Sequence, residues 1–197
     1  MKKTISLLLC VMILAAGIAA ALAEDAIVVR GMWAGSLYTN EYAGITFDMP
    51  SEGWVAATDE QMAEIIGIGY TAMGQSGVEM PAPKFDGTIV ADMLAVNYSN
   101  KSTVSVIYEK INPMYNEKMY FEITKGQYSK YGEYVTFGEI EERWLGGTMY
   151  YCRASALSFG EINTAQLIYV RIIGDILVCI SISAGDGNWE SIEACFK

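Results

Sequence analysis

The chain has 197 residues, a net charge of −10 and no histidine. Without histidine it lacks Ser-His-Asp and Cys-His nucleophiles, a histidine general base and the usual zinc and iron sites. Its acidity disfavours nucleic acid and anionic membrane surfaces as partners.

Lys2 and Lys3, the apolar run from Ile5 to Ala21 and the small residues of Ala21-Leu22-Ala23 read as a secretory signal cleaved after Ala23. Glu24 and Asp25 follow at once with no stop-transfer pattern, so a secreted or extracytoplasmic chain without a transmembrane helix is expected. Cys10 lies inside the apolar run behind bulky Leu9, which does not match a lipidation site. The leader holds two of the 13 basic residues and none of the 23 acidic ones, so the mature chain is more acidic still. Residues 24–35 read as an N-terminal tether or irregular first strand. Residues 36–197 read as a single α+β domain, large enough to fold on its own core without disulfides.

The first element is a hairpin. Two short β-prone runs flank Thr39-Asn40-Glu41, with Leu37, Ile45 and Phe47 set to face the core. Pro50 cannot continue a ladder. Thr58-Asp59-Glu60-Gln61 is a capping box. It opens a helix with Met62, Ile65, Ile66, Tyr70 and Met73 at helical spacing. Gly74 to Gly87 has no periodicity and reads as a long surface loop, either a decorative insertion or a candidate ligand lid. Ile89–Tyr98 and Ser102–Lys110 form the next hairpin. Asn97-Tyr98-Ser99 and Asn100-Lys101-Ser102 match the glycosylation acceptor pattern. Asn116 caps a helix reaching about Tyr131, with Met119, Tyr120 and Ile123 as its buried stripe. Residues 133–145 form one strand kinked at Gly138, since a strand glycine often marks a bulge.

Gly146-Gly147 then turns into three consecutive strands, Thr148–Ser158, Ile162–Ile173 and Ile176–Ala184, the expected centre of an antiparallel sheet. A short helix over Trp189–Phe196 closes the chain. The two-residue loop Gly174-Asp175 pairs Ile173 with Ile176, and hence Val170 with Cys179. A three-residue loop at Phe159-Gly160-Glu161 pairs Cys152 with Ile168. In that register Cys152 and Cys179 share a small apolar face, two strands apart and beyond disulfide reach. Cys179 and Cys195 can then bridge if the closing helix covers that face; buried, unbridged thiols are the alternative. The opposite face collects Tyr151, Arg153, Tyr169 and Arg171, a candidate patch for an anion or carboxylate. The competing reading pairs these arginines with acidic residues of a helix.

The run Tyr38-Thr39-Asn40-Glu41-Tyr42-x-Gly44-Ile45-x-Phe47-x-x-Pro50, followed by Trp54 and a capped helix ending in Ile65-Ile66-Gly67, resembles small secreted proteins and lipoproteins of Gram-positive gut bacteria. The strand order with its closing helix is similar to the PsbP/Mog-type fold. That resemblance implies an antiparallel sheet of about six to eight strands sandwiched by helices. It also implies a non-catalytic assembly or binding module. It carries over no catalytic residue, and this chain lacks the lipidated cysteine of the lipoprotein relatives.

No cofactor or metal site is read from the sequence. Asp186-Gly187-Asn188-Trp189-Glu190 begins like a calcium loop but has Ser191 at the glycine position and Lys197 at the closing glutamate, so it reads as a helix start. The expected function is an exported binding or assembly module with a protein or cell-envelope partner. The alternatives are a small carboxylate hydrolase near the Gly74–Gly87 loop and an anion-binding module using Arg153 and Arg171.

Overall fold

A computed structural model describes residues 30–62, 64, 89–128, 134–159 and 162–197. The expected signal, the Gly74–Gly87 loop and Ile65, Ile66, Tyr70 and Met73 lie outside the described residues.

The long strands assemble one antiparallel sheet. Its seven strands are β4 (Trp54–Ala56), β5 (Ile89–Asn97), β6 (Ser102–Lys110), β7 (Val135–Leu145), β8 (Thr148–Phe159), β9 (Ile162–Ile173) and β10 (Ile176–Ser183). They lie in the order β4-β5-β6-β10-β9-β8-β7. The meander β8-β9-β10 sits at the centre, as expected. Strands β6 and β10 are buried along nearly their whole length, because both faces of the sheet are covered.

One face is covered by helix α1 (Glu117–Tyr128). Asn116 caps it as expected, accepting from the Met119 amide at 2.9 Å. Its buried residues are Tyr120, Phe121, Thr124 and Tyr128. Met119 was expected inside, but it is 42% exposed, because the buried stripe runs one residue later along the helix.

The other face is covered by a small sheet and a short helix. Strands β1 (Met32–Ala34), β2 (Leu37–Asn40) and β3 (Ile45–Asp48) form the three-stranded sheet. Residues 32–34, expected in a tether or irregular first strand, pair with β2 in an unbroken antiparallel register. Helix α2 (Trp189–Glu193) is capped by Asn188, whose side chain accepts from the Ser191 amide. After it, Phe196 bridges to Phe47 of β3. Tyr38, Phe47, Tyr108 and Tyr169 are buried in this layer. The fold is thus α+β with a two-sided antiparallel sheet. One of its two covers is itself mostly β.

The capping box forms. The Thr58 amide donates to Gln61 Oε1 at 2.9 Å, and the Gln61 amide donates to Thr58 Oγ at 3.3 Å. The kink in β7 also forms, as a register shift between Phe137 and Ile140. Gly146 and Gly147 both take positive φ (56° and 76°), the backbone a tight two-residue hairpin turn requires.

Candidate functional site

Ile173 pairs with Ile176 and Val170 with Cys179, as the Gly174-Asp175 turn dictates. The preceding turn differs from expectation. Phe159 pairs with Ile162, so the loop is one residue shorter, and Cys152 pairs with Tyr169 instead of Ile168. A slip of one residue moves every side chain of β8 to the other face relative to β9.

The four residues of the expected patch are thereby separated. Tyr151 and Arg153 stand on the α1 face. Tyr169 and Arg171 stand on the face under the small sheet and α2.

Arg153 is 4% exposed and works as a latch. Its Nε donates to the carbonyl of Gly138 at 2.8 Å, its Nη1 to the carbonyl of Phe121 at 3.1 Å and its Nη2 to Glu122 Oε1 at 3.0 Å. Its guanidinium also lies over the rings of Phe121 and Phe137, 5.8 and 5.5 Å from their centroids. This is the helix pairing named above as the competing reading. Arg171 lies beside Tyr150, whose hydroxyl pKa is raised by burial and drawn back by the guanidinium. Tyr169 donates to Glu193 of α2, and Arg143 holds the other oxygen of that carboxylate at 3.0 Å. Burial, reinforced by Glu193, keeps the Tyr169 hydroxyl protonated.

All three cysteines of the described residues are free. Cys179 faces α1, whereas Cys152 belongs to the opposite layer and Cys195 follows α2 on that same side. The sheet stands between Cys179 and Cys195, so the expected bridge does not form. Burial pushes the Cys152 thiol up to about 12 and the Cys179 thiol well up from its ordinary range. Buried thiols held protonated are poor nucleophiles.

A second polar cluster was not singled out from the sequence. Asp92 is the extra residue of a bulge in β5, between the pairs Ala91–Ile107 and Met93–Val106. Its buried carboxylate accepts from the Tyr38 hydroxyl, from Asn40 Nδ2 at 2.9 Å and from the Gly31 amide at 3.0 Å. Arg30 Nε lies 3.4 Å away. Asp92 therefore clasps β1 and β2 onto the large sheet. The signal was visible as the one acid inside the apolar run of β5. Burial, then the Asp92 hydrogen bond, raises the Tyr38 hydroxyl pKa.

The most conspicuous exposed feature is the tip of the β7–β8 hairpin. Trp144 is 71% exposed and pairs directly across the hairpin with Met149, which is 37% exposed. Tyr151, the next residue of β8 on that face, lies under Lys118 of α1 at 5.2 Å. Strand β7 is an edge of the large sheet, and among the described residues no strand pairs with its outer side. It presents exposed Glu139, Glu141 and Glu142. Its one arginine, Arg143, is engaged by Glu141 and Glu193.

Shallow clefts lie elsewhere among the described residues, and two of them have carboxylates in their lining. One, of about 560 Å³, lies between the β5–β6 turn, β4 and α2. Another, of about 410 Å³, lies at the start of α2. Each has two carboxylates in its lining, Glu52 with Asp186 and Asp186 with Glu190, all on exposed residues. A general acid for glycoside hydrolysis needs a desolvated carboxyl, which an exposed side chain does not supply. Among the described residues no group of three or more His, Cys, Asp or Glu could hold a metal ion, and no helix is long and apolar enough to cross a membrane.

No protein-family model matches the chain, and no curated protein matches it in sequence. In structure it is similar to the cyanobacterial PsbP protein CyanoP of Synechocystis sp. PCC 6803, known from a solution structure. The identity is 12%, the TM-score is 0.48, and the match covers 90% of this chain and 98% of that one.

Proposed function

We propose that this chain is an exported, non-catalytic binding module that docks a basic, extended segment of a protein partner along the outer edge of β7 and the tip of the β7–β8 hairpin. The observation that carries this reading is the exposure of Trp144 beside Met149. A tryptophan held in water at a strand tip forgoes the burial that stabilises this residue type, and tryptophan is enriched among the residues that dominate protein interfaces. Among the described residues no strand pairs with the outer side of β7, which is where an added strand would dock. Glu139, Glu141 and Glu142 set the sign of the partner. A second copy would bring the same glutamates and the same strongly negative net charge to the contact, so like charges oppose self-pairing. Export rests on Lys2, Lys3, the apolar run and the Ala21-Leu22-Ala23 site, and it places the partner in the cell envelope or outside the cell.

The test is an NMR titration with an alternating lysine–valine peptide and its glutamate–valine counterpart. The lysine peptide is expected to shift the amides of β7 and the hairpin tip. The glutamate peptide is expected to shift none of them. Amide shifts spread evenly over the acidic surface, or equal responses to the two peptides, would contradict the reading.

A further inference from the structure

The cleft of about 560 Å³ lies away from the hairpin, on the opposite edge of the large sheet, and it has a built floor. Trp54 of β4 pairs directly with Asn97 of β5, so the indole and the amide stand side by side on one face. Asn97 is buried and fixed. Its Nδ2 donates to the Glu52 carbonyl at 3.1 Å, and its Oδ1 accepts from the Ser99 amide at 2.9 Å. It is therefore not presented as a glycosylation acceptor in the folded chain, although it heads one of the two acceptor motifs.

The polar groups around this floor are anionic or neutral, and none is cationic. Glu52 and Asp186 bring carboxylates to the lining, with one Asp186 oxygen already accepting from the Asn188 amide at 3.0 Å. Asn100 offers an amide whose oxygen already accepts from the Ser102 amide, so its N–H groups remain as donors. Ser191 donates its hydroxyl to the Asn188 carbonyl and keeps its lone pairs as acceptors. No lysine or arginine belongs to the lining. An anionic ligand would meet two carboxylates and no cation, so phosphates and acids are disfavoured. A purely apolar ligand would leave these acceptors desolvated and unpaired. What fits is a neutral ring with an apolar face for the indole and hydroxyl groups for the carboxylates. The volume falls within the usual range for small-ligand sites, roughly 300–1,000 Å³.

We infer that the Trp54–Asn97 cleft binds an uncharged saccharide. The site is independent of the hairpin tip and holds or fails apart from it.

Glucose, N-acetylglucosamine, cellobiose and maltose are the probes, with glucose 6-phosphate as the anionic control. Binding to the full mature chain is followed by saturation-transfer NMR and by the shift of the Trp54 indole N–H. At least one neutral sugar is expected to bind at millimolar concentration or better, and glucose 6-phosphate to bind at least tenfold more weakly than glucose. Trp54→Ala is expected to lose binding at least tenfold. Because Trp54 also packs edge-on against Phe47, Glu52→Gln serves as a second variant. Glu52 is exposed, so the substitution keeps the fold, and it is expected to weaken binding several-fold. Absence of binding by all four neutral sugars would overturn the inference. So would binding that both variants leave unchanged, or equal binding of the phosphorylated control.

Discussion

Arg153 donates to the carbonyl of Gly138 at 2.8 Å, which ties the middle of β8 to the bulge of the edge strand β7. The same guanidinium reaches the Phe121 carbonyl in α1. One side chain thus joins the sheet edge to its covering helix. Arg153→Met keeps much of the volume but leaves both carbonyls without this donor. A loss of about 2–4 kcal/mol in urea unfolding is expected, from hydrogen bonds made by a charged donor at a buried site. Arg153→Lys should fall between, since an ammonium lacks the planar fork. A loss below about 1 kcal/mol for Arg153→Met would show that the latch is dispensable.

Asp92 has the same standing on the other face. Asp92→Ala removes the acceptor for the Tyr38 hydroxyl, the Asn40 amide and the Gly31 amide together. A loss of about 3 kcal/mol or more is expected. Amide exchange of β1 and β2 should accelerate more than that of β6 or β10, because the clasp holds the small sheet. Uniform acceleration across both sheets would contradict a local clasp.

The buried thiols make stability fall at alkaline pH. In the folded chain burial raises the Cys152 thiol to about 12, above its ordinary value of 9.0. Between those two values the unfolded chain has released this proton and the folded chain has kept it. The stabilisation is therefore complete below pH 9 and is lost toward pH 12, at up to about 1.4 kcal/mol per pH unit for one proton. Buried Tyr38 and Tyr169, raised in the same direction, add to the fall above about pH 10. Cys152→Ala should show a shallower decline from pH 9 to 11 in urea unfolding. Parallel declines would contradict the assignment. At neutral pH the native chain should react with a thiol reagent first at Cys195, the only one of the three not fully buried.

How much of this was legible in the sequence depends on how local the signal is. The Gly174-Asp175 turn states its own length, and the pairing of Val170 with Cys179 followed from it. The turn before it does not. The sequence places Phe159 in the loop, the structure pairs it with Ile162 in the ladder, and that single residue reverses the face of Arg153. The separation of Arg153 from Arg171, and of Cys152 from Cys179, is the consequence of that one slip, whereas Cys195 stands apart from Cys179 because α2 covers the other face of the sheet. Asp92 was visible as an acid in an apolar strand, but a bulge that turns it inward depends on the partner strand and is not written locally. Trp144 sits among glutamates and reads as one more residue of a polar strand. Its exposure follows from β7 lying at the sheet edge, and strand order is set by contacts distant in sequence.

Trp144 and its surroundings can be examined directly in the cell. A benzoylphenylalanine at position 144 of the chain expressed in its native host should, on irradiation, give a discrete adduct with one protein. The same probe at Tyr98, which is 60% exposed, should not. Charge reversal of Glu141 and Glu142 to lysine should abolish the adduct from position 144. Indistinguishable adducts from positions 144 and 98, or no protein adduct at 144, would contradict the assignment of the hairpin tip as the contact surface.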